Sequence, residues 1–173
     1  MSAANVIYLL VRVLHVLLAA IWVGVAAFVA YFLFPVIEET GPSNGPAMRL
    51  MARRLPVATG AIGGITVLTG FWLYWRFTGG FDPALAGSMG ARVFGTGGLA
   101  GLVALIIGGA VVNNSGKKMS ALAERVASMP EGAERTGLIA ELNAARNRAW
   151  TFAKIVLVLQ IIALACMAVG HYV

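Results

Sequence analysis

The side chains best suited to chemistry lie near the two ends of the sequence. The stretch "RVLHVLLAAIWVG", residues 12–24, sets Arg12 and His15 at the head of an otherwise apolar run, and the last apolar run closes on Cys166, Met167 and His171. Ionisable groups inside such runs are costly and mark candidate functional sites. Haem iron takes one or two axial imidazoles, or imidazole with methionine, and its propionates pair with arginine at a water boundary. His15 with His171 or Met167 meets the first need; Arg12, Arg76 and Arg92 meet the second. Copper(I) is the rival occupant, because soft sulfur donors with imidazole suit it, and His15, Met167, His171 and Cys166 supply that set. Three arginines near the histidines favour an anionic ligand over a bare cation. The reading therefore inclines to haem b, with His15 and His171 as metal ligands, and keeps copper as the alternative.

Other chemistries have no carrier. No Ser-His-Asp, HExxH, P-loop or Rossmann pattern is present, which argues against hydrolase and nucleotide chemistry. A single cysteine excludes an internal disulfide and any CxxC site. The net charge of +6 does not indicate nucleic acid, because the cations cluster at the ends of apolar runs.

The elements that must position these residues follow from composition. The chain has 173 residues, 60% hydrophobic and 12% charged, with a mean hydropathy of +0.85, outside the range of a soluble domain. Apolar windows at 13–37, 55–75, 93–116 and 155–173 each approach the ~20 residues that cross a ~30 Å hydrocarbon core as a helix. They lack the alternation of an outer-membrane barrel, so the fold class is all-α. The first window is longer than a signal-peptide core and is expected to stay as a membrane helix.

Charge sets the orientation. Arg49, Arg53 and Arg54, with Lys117, Lys118, Arg125, Arg135, Arg146, Arg148 and Lys154, put ten cations on one side, against Arg12, Arg76 and Arg92 on the other. The positive-inside rule predicts a cytoplasmic location for the first group and both termini outside. "GKKMSALAERVASMPEGAERTGLIAELNAARNRAW" has helical periodicity broken at "MPEG", so residues 117–150 read as a cytoplasmic helical hairpin. The chain breaks at Gly41-Pro42 and restarts a helix near Pro46. The expectation is one domain, an up-down four-helix bundle. The glycines of "GAIGG" and "GTGGLAG" suit close packing within the bundle or a homo-oligomer face.

In that arrangement the start of the first helix meets the end of the fourth. His15 lies 23 residues from Glu38 and His171 lies 17 from Lys154, about 34 Å and about 26 Å along their helices, so both sit near the outer boundary. Arg12, His15, Ala19 and Trp22 share one helical face; Gln160, Met167 and His171 share another. A face polar at its outer end and small further in suits a flat ligand.

"LHVLLAAIWVG" at 14–24, followed by an apolar run and Pro35, resembles the first helix of the copper resistance D (CopD) type membrane domains and of HemJ-type protoporphyrinogen oxidases. "RRLPVATGAIGGITVLTGFWLYW" at 53–75 resembles their second helix, with Arg at its start and Leu-Thr-Gly near its end. The resemblance covers roughly the first half of the chain. It implies a four-helix membrane unit, with haem b on the histidine matching His15 in one branch and copper handling in the other. The third window carries no histidine or lysine, unlike HemJ-type enzymes, and no methionine-rich copper gate runs along the helices.

The leading expectation is a cytochrome-like protein of a bacterial cytoplasmic membrane, working in electron transfer or haem handling with a redox partner or membrane complex. The alternatives are a copper-binding or copper-transport protein and a structural or assembly subunit that docks through the hairpin. The sequence does not decide whether the chain is an enzyme.

Overall fold

A computed structural model describes residues 2–40 and 46–173. The break at Gly41-Pro42 and the side chain of Arg49 lie outside the described residues. The fold is all-helical. Helix α1 (Ala3–Phe28) begins at Ser2, whose hydroxyl accepts from the Asn5 amide at 3.4 Å. A π turn, Val29–Leu33, joins it to α2 (Phe34–Thr40). Helix α3 (Pro46–Phe77) starts at the proline where a restart is expected and contains Pro56. A one-turn α4 (Pro83–Ala86) is capped by Asp82. Helix α5 (Met89–Ile107) passes through a second π turn, Gly108–Asn113, into α6 (Asn114–Ser128), and α7 (Ala133–Val169) completes the chain.

Among the described residues four helical stretches are long and apolar enough to cross a membrane: Ala3–Glu39, Arg53–Phe77, Met89–Ser128 and Ala133–Val169. Their outward faces carry Leu10, Val57, Leu68, Leu99, Ile106 and Ile161, all exposed. Large apolar side chains facing outward on every stretch suit a hydrocarbon solvent. The helices overrun the apolar windows at most ends. The fourth is the exception, because it stops at Val169 and His171 lies beyond its last turn.

Packing is carried by small residues. Helix α7 buries Leu138, Ala145, Ala149, Ala153, Val156 and Gln160, a recurrence of three and four residues that keeps one face turned inward. Against it α5 buries Gly90, Ala91, Gly97, Ala100, Gly101 and Ala104. A Cβ on Gly97 would stand 2.8 Å from Cys166 Cβ and 3.2 Å from the Ala163 carbonyl, and one on Gly90 would stand 2.8 Å from the Gly170 carbonyl. These two glycines therefore let the backbones of α5 and α7 approach. Only one glycine of "GAIGG" serves in the same way: Gly63 receives the Trp22 ring, while Gly60 and Gly64 have no neighbour within 4 Å.

Helices α1 and α2 contact α7 in the opposite chain sense. Arg12 meets His171, the Ala30 carbonyl accepts from Trp150 Nε1 at 2.9 Å, and Glu38 pairs with Arg146 at 3.7 Å. Three core clusters lie along α7: Trp22, Ala104 and Val156; Phe34, Ala149 and Ala153; and Leu122, Val126 and Leu138. The last closes α6 onto the start of α7 and gives the hairpin its own small core.

Between α3 and α4 the backbone turns through Gly79, Gly80 and Phe81, at φ of 62°, 84° and 69°. Two glycines adopt this left-handed region freely, and Phe81 does so at a cost. Thr78 is fully buried beneath the turn; its hydroxyl donates to the Tyr74 carbonyl at 3.0 Å and accepts from the Phe81 amide at 3.2 Å.

Candidate functional site

The inward face of α1 carries Val11, His15, Leu18, Ala19 and Trp22. From that face His15 reaches α3. Its Nδ1 lies 3.0 Å from the Thr66 carbonyl oxygen and 3.1 Å from Thr69 Oγ1. A carbonyl only accepts, and the Thr69 hydroxyl already donates to the Ile65 carbonyl at 2.8 Å. The ring proton therefore sits on Nδ1, and Nε2 keeps its lone pair. Gly70 makes room for the ring, since a Cβ there would stand 2.8 Å from His15 Cε1.

His171 is held differently. Helix α7 ends at Gly170, and a turn with Tyr172 N donating to the Val169 carbonyl at 2.9 Å carries the chain past it. Arg12 Nη2 lies 2.9 Å from His171 Nε2. Guanidinium can only donate, so Nε2 accepts and its lone pair is engaged. The imidazole stands edge-on to Phe94 at 4.9 Å, and Phe94 edge-on to Phe77 at 5.1 Å. Arg12 and Phe94 thus fix the ring from α1 and α5.

The sequence-derived candidates divide into separate groups. The structure joins Arg12 to His171 and ties His15 to Thr66, Thr69 and Gly70. Met167 and Cys166 face Gly97 of α5 and serve the packing of α5 on α7. Arg76 closes α3 and Arg92 stands in the first turn of α5, both exposed. Neither forms an ion pair among the described residues, and Asp82 spends Oδ1 on the Ala84 amide at 2.8 Å. Three arginines, Arg12, Arg76 and Arg92, therefore carry no carboxylate partner there. Among the described residues no three His, Cys, Asp or Glu side chains gather as a metal-holding group.

Thr66, Thr69, Gly70 and Phe94 escape a reading by residue type, since hydroxyls, glycine and an aromatic are ordinary in apolar helices. A signal for three of them exists in "TVLTG", where Thr66, Thr69 and Gly70 stand three and four residues apart and so share a face. Comparison with protein-family models, with curated proteins and with solved structures finds no match to the chain.

Proposed function

We propose that the chain is a b-type, cytochrome-like protein of the bacterial cytoplasmic membrane, an up-down four-helix bundle with both termini on the outer face. Haem is taken near that face on His15. The observation that carries this reading is the Nδ1–H of His15 held on the Thr66 carbonyl at 3.0 Å. Metal-ligating histidines donate their other ring N–H to a carbonyl or carboxylate, which fixes the tautomer, orients the ring and raises its basicity. A second support is the meeting of His15 with Thr69 and Gly70. The Leu-His and Leu-Thr-Gly stretches behind the CopD-type and HemJ-type resemblance therefore form one contact.

Bound haem supplies one-electron transfer or small-ligand binding at iron. The protein residues do the rest. His15 offers Nε2 from a ring that Thr66 and Thr69 prevent from rotating. Arg12, Arg76 and Arg92 would pair with the propionates at the water boundary. Arg12 gives one guanidinium N–H to His171 Nε2, so it retains donors for a carboxylate. With the His171 Nε2 engaged by Arg12 and Met167 packed on Gly97, His15 is the residue that would hold the iron in this reading.

The test is the visible spectrum of protein produced with haem supplementation. A Soret band with high-spin character is expected in the wild type, and its loss in His15→Ala. A colourless wild type, or an unchanged band in His15→Ala, refutes the assignment.

A further inference from the structure

Gln160 is 2% exposed, and neither its Nε2 nor its Oε1 has a hydrogen-bond partner among the described residues. It stands on the inward face of α7, one turn beyond Val156, which packs with Trp22 and Ala104. Among apolar neighbours such an amide loses its hydration without replacement, which native interiors rarely tolerate. The surroundings supply space. Gly97 of α5 packs against Ala163 and Cys166, and Ala104 clusters with Val156, so the antiparallel register brings Gly101 to the level of Leu159 and Gln160. Gly101 is buried, yet a Cβ there would meet nothing within 4 Å. Open space at the level of an amide with free donors and a free acceptor suits buried water, which needs room and two to four polar partners.

We propose that the centre of the helical bundle holds internal water, bound by the Gln160 amide in the space over Gly101. The guest must be small, because the open side is the one left by a missing methyl group. It must both donate and accept, because Gln160 presents both complements. Thr66 is also buried, one turn from Gly63 beneath Trp22, and its carbonyl anchors His15. The water tier therefore adjoins the helix turn that holds the imidazole. Its presence does not depend on whether His15 binds haem.

Pulsed hydroxyl-radical footprinting of the full chain in lipid nanodiscs, in ¹⁸O-labelled water with mass-spectrometric readout, tests it. Radicals generated from bound water oxidise adjacent side chains even where bulk solvent is excluded. Trp22, which is buried, and Leu159, which is half-buried, are expected to take up label, at a rate falling about tenfold in both Gly101→Ala and Gln160→Leu. Gly101→Ala fits the existing space, so it folds and keeps the test decisive if Gln160→Leu does not. Unlabelled Trp22 and Leu159 in the wild type, or equal labelling in wild type and Gly101→Ala, overturns the proposal.

Discussion

Adding one methyl group at Gly70 isolates the geometry of His15 from its presence. An alanine Cβ would stand 2.8 Å from His15 Cε1, 3.4 Å from Nδ1 and 3.7 Å from Nε2. Carbon atoms in contact settle about 3.5–4.0 Å apart, so the ring must recede by roughly 1 Å. Nδ1 begins 3.0 Å from the Thr66 oxygen, and a retreat of that size takes it beyond hydrogen-bonding distance. Losing the bond costs about 0.5–1.5 kcal/mol, and overpacking adds about 1–3 kcal/mol. The better helix propensity of alanine returns about 1 kcal/mol. The net destabilisation is about 0.5–3.5 kcal/mol, a fall of roughly 1–14 °C in Tm for a chain of this size. The assay is thermal melting in detergent beside the haem-to-protein ratio and Soret position. Gly64→Ala is the control, on the same helix with nothing within 4 Å of its Cβ, and should melt no lower than the wild type. If Gly70→Ala matches Gly64→Ala in both Tm and haem loading, the imidazole is not held as described and its tautomer is not fixed by Thr66.

Other contacts carry their own expected outcomes. Gly97→Ala drives a Cβ to 2.8 Å from Cys166 Cβ and should lower stability by about 1–3 kcal/mol, measured by chemical or thermal unfolding. Trp150→Phe strands the buried Ala30 carbonyl, now 2.9 Å from the indole N–H, and should cost about 1–3 kcal/mol in the same assay. His171→Ala should leave the Soret band and spin state unchanged, because only His15 is assigned to iron; a shift to a different spin state would restore His171 as a ligand. Arg12→Gln should keep the fold, with an exposed hydrogen bond worth about 1 kcal/mol or less, while weakening haem retention in competition with apomyoglobin.

The apolar windows, the helix restart at Pro46 and the hairpin turn near "MPEG" were legible because they depend on composition, proline and period alone. Face assignment along α1 was legible in part, since His15, Ala19 and Trp22 fall at helical spacing and turn inward, while Arg12 is exposed and reaches only His171. The neighbour that each face meets was not. Periodicity says which way His15 points and is silent on whether α3 or α7 lies there, and the choice turned on Gly70 and on two threonines with ordinary backbone-directed hydroxyls. His171 belongs with Met167 on one face only if the helix runs to its end; Gly170 stops it first. The two π turns leave no mark in composition. Each inserts one residue into an otherwise regular helix and rotates the downstream residues by about 100°, so a face read through Val29–Leu33 or Gly108–Asn113 falls out of phase.

Helix α3 contains a proline, and α1 and α5 each run into a π turn, but α7 has neither over its 37 residues. It is a jointless bar about 55 Å long, seated at one end in the Leu122, Val126 and Leu138 cluster and at the other beside the Arg12–His171 contact. A bar of that length acts as a lever: a tilt of about 5° at the hairpin carries the far end by about 5 Å. The Arg12–His171 hydrogen bond, 2.9 Å long at that far end, is therefore the contact on which any change in the angle of the rod would tell most.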